Sequence, residues 1–219
     1  MANGHTNERR SGILAAAQRV FEAHGYAATT MEAVAVESGI SKGSIYNYFN
    51  SKQELFYQLL TDAVAAGQAD SQAVLERDIP AQAKIDLMLD QWYQQLGYHL
   101  RISRLVLEYW ATAAREHQGQ LADSFKQMYR YWREQFCQII SKGIDGGEFS
   151  GDYDLTVAAS LILAMLDGIM VQSMLDIGIN VNPQFLDGLK RAIRVALSAK
   201  DDKISHAVCG NRGSNHGKQ

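Results

Sequence analysis

The polar side chains between Thr29 and Lys52 are the part of this 219-residue sequence best suited to specific chemistry. Hydroxyl, amide and ammonium groups of this kind form hydrogen bonds with phosphate oxygens and with the edges of bases. We predict that Ser44 and Asn47 lie near base edges, with Ser41 and Gly43 completing the same surface. The side chains expected to contact mainly phosphates are Thr29, Thr30, Lys42, Tyr46, Tyr48 and Lys52.

The same stretch contains a motif with a different chemical meaning. Residues 39–43 read Gly-Ile-Ser-Lys-Gly, which satisfies the G-x-S-x-G pattern of a hydrolase nucleophile elbow. That elbow requires a β-strand before the serine and a helix after it. The residues before Ser41 have a helical pattern, and no strand alternation occurs nearby. We therefore interpret Ser41 as a helix cap and the motif as accidental.

The first helix of this stretch is predicted from its starting signal. Thr29 and Glu32 stand in the S/T-x-x-E relation of a capping box, which is typical of a helix start. Its buried side is expected to hold Ala33, Val34 and Val36.

A turn and a second helix follow. Gly39 can adopt a positive φ and end the first helix, after which Ser41 can cap the second. Ile45 and Phe49 are four residues apart and are expected to face inward, and Ser51 opens a third helix. Two helices joined by a tight turn, the second with an exposed polar face, form the helix-turn-helix plan.

This stretch resembles the DNA-binding domain of the TetR family of transcriptional repressors. The matching residues are Gly25-Tyr26, Thr29-Thr30, Val34-Ala35, Ser38-Gly39-Ile40-Ser41-Lys42-Gly43, Ile45-Tyr46, Tyr48-Phe49 and Ser51-Lys52. The strong match covers about the first quarter of the chain, and the remainder is similar in length, helicity and layout. The resemblance implies a repressor that binds a palindromic operator in double-stranded DNA as a dimer and is released by a small effector.

Composition favours an all-α protein. The chain is 47% hydrophobic, has two prolines and shows helix-period patterns throughout. We predict about nine helices: a three-helix DNA-binding head over residues 1–53, a larger effector-binding and dimerisation body over 54–199, and a disordered tail over 200–219. The net charge is −3, and the first 60 residues hold five basic and five acidic groups, so phosphate binding has to rely on a few well-placed cations.

The middle of the chain is rich in aromatic and methionine side chains at helical spacing. For any one of them an ordinary core position is the better interpretation, but as a group they are typical of an apolar ligand cavity with a few polar contacts. The resemblance implies an effector site in this region, and we expect a small, largely apolar or aromatic ligand. The candidate effector-binding residues are Trp92, His99, Tyr109, Trp110, Phe125, Met128, Tyr129, Trp132, Met165 and Gln172, with Glu108 and Asp167 as further polar candidates.

The last two predicted helices carry more apolar surface than one chain can cover. They span Leu155–Leu175 and Phe185–Leu197, and the resemblance implies that they pair with their counterparts in a homodimer. The alternative is that both helices are core elements of a monomer. The first contains Asp167 and Gly168 among its apolar residues, so we predict an interface helix and no membrane contact.

No catalytic or cofactor motif accompanies these features. The sequence has no HExxH, dinucleotide fingerprint or Glu-x-x-His pair, and neither Cys137 nor Cys209 has metal-ligand spacing. We predict a cytoplasmic regulator without enzymatic activity, cofactor or metal. The alternative is an all-α small-molecule-binding protein or enzyme whose head does not bind DNA.

Overall fold

The computed structural model describes the backbone of residues 2–113 and 118–198, and the side chains of residues 7–108 and 123–198. Over these ranges the chain is all-α, as predicted, with no strand and nine helices. The helices are α1 (Ala2–Ala28), α2 (Met31–Ser38), α3 (Lys42–Tyr46), α4 (Lys52–Leu75), α5 (Ala81–Gln94), α6 (Leu96–Ala113), α7 (Gln118–Asp145), α8 (Leu155–Met174) and α9 (Pro183–Ser198). The tail predicted to be disordered lies outside the described residues.

The head is built around a cluster of aromatic rings. Phe21, Tyr26 and Phe56 have ring centroids 5.1–5.8 Å apart, and all three side chains are buried. Val34 is buried in the same cluster as predicted, whereas the prediction for Val36 is wrong because its side chain is 79% exposed. In a helix this short, Met31, Val34 and Ala35 fill the one face that contacts the core, and position 36 points away from it.

A bend in α1 brings the head against the body. Gly25 has φ 77° and ψ 170°, which interrupts the helical backbone. The carboxylate of Glu108 on α6 lies against this bend and accepts a 2.7 Å hydrogen bond from the Tyr26 backbone N–H. Arg101 and Glu22 form a second α6–α1 contact, an ion pair at 3.4 Å.

The head and the body share the long helix α4. Leu55, Phe56 and Leu60 pack in the head cluster, while Val74, near the other end, packs in the body cluster. The boundary predicted between residues 53 and 54 therefore lies within a continuous helix.

The body core is formed by α5, α7, α8 and α9. Ile85, Leu89, Phe136, Ile139 and Ile193 are among its fully or almost fully buried side chains. Two ion pairs join α9 to α5 at the edge of this core: Lys190 with Asp90, and Arg194 with Asp86.

Helix α8 is only partly covered by the rest of the chain. It begins at an Asp154 cap whose side chain accepts from the Val157 N–H. Among the described helices it is the one long and apolar enough to cross a membrane, yet only 22% of that segment is buried. Val157, Leu161 and Leu175 are 56–64% exposed, so an apolar face of α8 is open.

Candidate nucleic-acid interface and body cavity

Helix α3 is positioned by a tight turn before it, by a side-chain cap at its start and by two buried side chains. Gly39 takes a left-handed conformation with φ 69° and ends α2, as predicted. The Ser41 hydroxyl accepts from the Ser44 N–H and caps α3, which confirms its role as a cap. Ile45 and Phe49 are fully buried and fix α3 to the head core.

The opposite face of α3 carries the polar groups. Ser41, Lys42, Gly43, Tyr46 and Asn47 are exposed. Ser44 and Tyr48 are half-buried, and the Ser44 hydroxyl is hydrogen-bonded to that of Ser41 at 2.8 Å. The Lys42 ammonium lies 3.4 Å from the Glu32 carboxylate, but both side chains remain largely in solvent. Donors and acceptors are thus presented on one surface, as an element that enters a DNA groove requires.

The prediction for Thr29 needs correction. Thr30, not Thr29, caps α2, because its hydroxyl accepts from the Ala33 N–H at 3.1 Å. Thr29 is only 1% exposed, and its hydroxyl donates to the Gly25 carbonyl at 2.7 Å. Its side chain therefore stabilises the bend of α1 and is closed to a phosphate, whereas Thr30 is exposed.

Lys52 is also placed differently from the prediction. Its ammonium donates to the carbonyl oxygens of Tyr26 at 2.8 Å and Ala27 at 3.1 Å. It also lies 4.5 Å from the centroid of the Tyr26 ring, and burial lowers the pKa of the Lys52 ammonium. This side chain closes the carboxyl end of α1 and is not presented as a free phosphate contact.

The candidate effector residues do not form one cluster. Phe125 packs against the head cluster, whereas Trp92 and Trp132 pack against the body cluster. His99 and Met128 are half-buried, and burial lowers the pKa of the His99 imidazole. Tyr109 and Trp110 belong to α6, but their side chains lie outside the described residues.

Two further candidates lie on the open face of α8. Met165 is 37% exposed and Gln172 is exposed, so neither side chain is covered by the described residues, and their role as effector contacts stays a prediction. The period of α8 places them with its uncovered apolar residues and away from α7.

A polar pair joins α7 to α8 within the aromatic region. The Tyr129 hydroxyl donates to the Asp167 carboxylate at 3.0 Å, and both side chains are half-buried. Burial, together with the neighbouring carboxylate, raises the pKa of Tyr129 to about 12. Burial also raises the pKa of Asp167, against the opposing effect of the hydrogen bond from Tyr129. This pair is the best-defined polar feature at the predicted effector region.

Two clefts occur at other places on the described surface. One of about 320 Å³ lies between α5 and α9 and is lined by Asp86, Asp187, Lys190, Arg191 and Arg194. The other, of about 130 Å³, lies near Lys84 and Glu148. The described residues contain no cluster of three or more potential metal ligands.

Sequence reasoning missed the roles of two carboxylates. Glu108 was a candidate effector contact, but it binds the bend of α1. Glu148 accepts from the Ala81 and Gln82 N–H groups and thereby caps α5. Both contacts join residues far apart in sequence, and no local pattern marks them.

The fold and the exposed face of α3 together define a helix-turn-helix transcriptional regulator with a helical regulatory body. Residues 13–59 match the profile of bacterial regulatory proteins of the TetR family, and residues 80–184 match the C-terminal profile of BetI-type transcriptional repressors. A relative in Bacillus subtilis (strain 168), the HTH-type transcriptional regulator YfiR, is 31% identical over 171 residues, which are 78% of this chain and 82% of the relative. The chain belongs to the TetR family of bacterial regulatory proteins.

Solved structures share this fold. A TetR transcription regulator from Haloarcula marismortui superimposes with a TM-score of 0.72 at 24% identity, over 87% of this chain and 97% of the other. FadR from Bacillus subtilis, solved with stearoyl-CoA, superimposes with a TM-score of 0.64 at 19% identity, over 86% and 97%.

Proposed function

We propose that this protein is a homodimeric repressor that inserts α3 of each chain into the major groove of a palindromic operator, and that a small, largely apolar effector releases it. The observation that carries the proposal is the polar, exposed face of α3 above two fully buried anchors, Ile45 and Phe49. Ser44 and Asn47 are the proposed base-edge contacts, and Thr30, Lys42 and Tyr46 the proposed phosphate contacts. The half-sites of such a dimer lie roughly 34–36 Å apart, or a multiple of that distance.

The uncovered face of α8 supports dimerisation through α8 and α9. Val157, Leu161, Leu175 and, on α9, Val195 are each more than half exposed. Contiguous exposed apolar surface on a soluble protein marks an interaction site. A second copy of the chain is the proposed partner, because a symmetric operator requires a symmetric reader.

The half-buried aromatic region supports an apolar effector. Trp92 and Trp132 offer apolar surface, and the Tyr129–Asp167 pair offers one fixed polar contact. The complex of FadR with stearoyl-CoA, a protein of the same fold, is a precedent for a ligand with a long apolar chain. The relatives to which this chain is similar are transcriptional regulators. We therefore propose that this protein has no catalytic activity and that it acts in the cytoplasm.

A binding assay tests the proposal from both sides. Fluorescence anisotropy with labelled DNA from the region upstream of the protein's own gene should show salt-dependent binding that exceeds binding to a shuffled sequence. Aromatic and acyl compounds are then titrated while tryptophan fluorescence is followed, with and without operator. A true effector that weakens operator binding tenfold must itself bind tenfold less tightly in the presence of operator, a coupling of about 1.4 kcal/mol. Equal binding of the upstream and shuffled DNA would refute operator recognition, and a compound that binds equally in both titrations is not an inducer.

A further inference from the structure

Asp167 is the one ionisable side chain of α8 and interrupts an otherwise uncharged helix. Leu163 lies four residues before it and Met170 three residues after it, so all three share one side of the helix. All three side chains are half-buried. The carboxylate is therefore bordered along α8 by apolar surface that the described residues cover only in part.

The charge of this carboxylate is not balanced by a cation of the described residues. Its Oδ2 atom accepts the 3.0 Å hydrogen bond from the Tyr129 hydroxyl, and within the described part of the chain its Oδ1 atom accepts none. Arg133, a cation of α7 that binds α8, donates from Nε to the Ser160 hydroxyl at 3.0 Å. Ser160 lies about two turns before Asp167, roughly 10.5 Å along the helix axis, so Arg133 is engaged elsewhere.

A structural link between α7 and α8 does not require this charge. A tyrosine hydroxyl donates to an amide oxygen as it does to a carboxylate, so an uncharged side chain would join the helices without the cost of desolvating a charge. Burial raises the pKa of the Asp167 carboxyl, which means that the folded protein disfavours its ionised form. A desolvated carboxylate that is held by one specific partner is typical of a functional site.

The surroundings of Asp167 indicate which ligand would satisfy it. A protonated amine can donate an N–H to Oδ1 while the Tyr129 hydroxyl continues to donate to Oδ2. An apolar body attached to the amine would cover the partly buried side chains of Leu163, Met170 and Trp132. An anionic ligand would instead place a second negative charge beside the carboxylate. The site therefore favours a cationic amine with an apolar body.

We propose that the effector of this protein is a protonated amine with an apolar body, and that Asp167 binds its ammonium group through Oδ1. This inference rests on the proposed function, because it assumes that the effector binds beside the aromatic side chains of α7. It narrows the effector from largely apolar compounds in general to those that carry an N–H cation. Tyr129 positions the carboxylate for this contact by holding its other oxygen.

Ligands with the same alkyl chain and different head groups test the proposal. Decylammonium, decanol, decanoate and decyltrimethylammonium are titrated at neutral pH while the tryptophan fluorescence of the full chain is followed. A hydrogen bond to a charged group corresponds to about tenfold in Kd at the lower end of its range, which applies here because Asp167 is half-buried. Decylammonium should therefore bind about tenfold more tightly than decanol, and decanoate more weakly than either. In Asp167→Asn the ratio of the Kd of decanol to that of decylammonium should fall to about one, because the charged acceptor is lost. Asp123→Asn removes an exposed carboxylate of α7 and, as the matched control, should keep the ratio.

The outcomes separate this proposal from the function on which it rests. Equal binding of decylammonium and decanol to the wild-type protein, or an equal fall of the ratio in both variants, would overturn the role of Asp167. Tighter binding of decanoate would also overturn it, as would decyltrimethylammonium that binds as tightly as decylammonium, since a quaternary ammonium has no N–H to donate.

Anisotropy with the labelled upstream DNA is measured on the same protein. Binding of that DNA without a preference for the amine would refute the amine site and leave the operator proposal intact. A preference for the amine without DNA binding would refute operator recognition and leave the amine site. If none of the four ligands binds, both the amine site and the apolar effector are overturned.

Discussion

Replacing Lys52 by methionine should destabilise the head and leave the salt slope of DNA binding nearly unchanged. Methionine retains the apolar stem of the side chain but removes the ammonium that binds the Tyr26 and Ala27 carbonyls. The matched variant is Lys42→Met, in which an exposed ammonium on α3 is removed. The two lysines have the same charge, so any difference between the variants reports their different surroundings.

The size of the effect follows from the contacts that are lost. Hydrogen bonds to charged groups contribute about 1.5–3 kcal/mol each, and the lower end applies here because Lys52 is partly open to solvent. The cation–ring contact adds about 0.5–1 kcal/mol. The two bonds at this lower end and the ring contact together give an expected loss of about 3.5–4 kcal/mol, or roughly 7–16 °C in Tm for a chain of this length. Lys42→Met removes a surface ion pair, which contributes only about 0–1 kcal/mol.

Thermal unfolding at a fixed protein concentration and anisotropy over a series of salt concentrations measure both quantities. Lys52→Met should show the lower Tm and a nearly unchanged slope, and Lys42→Met a nearly unchanged Tm and a flatter slope. The reverse pattern, with Lys52→Met stable and its slope flattened by about 0.9 for each head, would refute the reasoning and restore Lys52 as a phosphate contact.

Three other variants test the remaining features. In sedimentation equilibrium, Leu161→Glu on the open face of α8 should give monomers, because it places a charge in the proposed apolar interface. Leu107→Glu on α6 should leave the protein dimeric. A dimer in both variants would contradict an α8 interface. Gly25→Ala should lower the free energy of unfolding in urea by about 1–3 kcal/mol, because φ at Gly25 is 77° and an added Cβ would lie 2.5 Å from a carboxylate oxygen. Gly12→Ala, in open space on the same helix, should raise the free energy of unfolding by up to about 1 kcal/mol. Equal urea midpoints for the two variants would count against the bend. Asp167→Asn should raise the free energy of unfolding at neutral pH. Burial raises the pKa of the Asp167 carboxyl, so folding favours its protonated form. The stabilisation from this carboxyl is therefore present below its ordinary pKa and is lost as pH rises through the pKa of the folded state, whereas asparagine stays uncharged at every pH. The advantage of the asparagine should shrink in acid, and a difference independent of pH would contradict this.

Local signals correctly predicted the turn between α2 and α3 and the cap of α3. Ser41 and Gly39 act as expected because a cap and a left-handed turn depend on the nearest backbone groups. Thr29 was misassigned because two adjacent threonines both precede α2, and only the bend at Gly25 decides which one is buried. If the start of α2 is placed one residue too early, the hydroxyl of Thr29 is expected to be exposed in place of that of Thr30.

Contacts between distant residues were beyond local reasoning. The Lys52 ammonium spans 26 residues to Tyr26, and its type and position alone are equally typical of a phosphate contact. The aromatic set was read as one cavity, but Phe125 lies with the head and Trp132 with the body, because helical spacing gives a face and not the neighbour that covers it. The Tyr129–Asp167 pair stays a prediction as an effector contact.

The bond from Tyr26 to Glu108 is one of several contacts between the head and α6: Arg101 of α6 pairs with Glu22, and Leu105 of α6 is buried in the head cluster. Because α6 packs directly on the head, a rearrangement of α6 would also displace α3. In the proposed symmetric dimer the same displacement would occur in both chains, so the spacing and the tilt of the two α3 helices would change together. The fit to both half-sites would then be lost at once and not one half at a time.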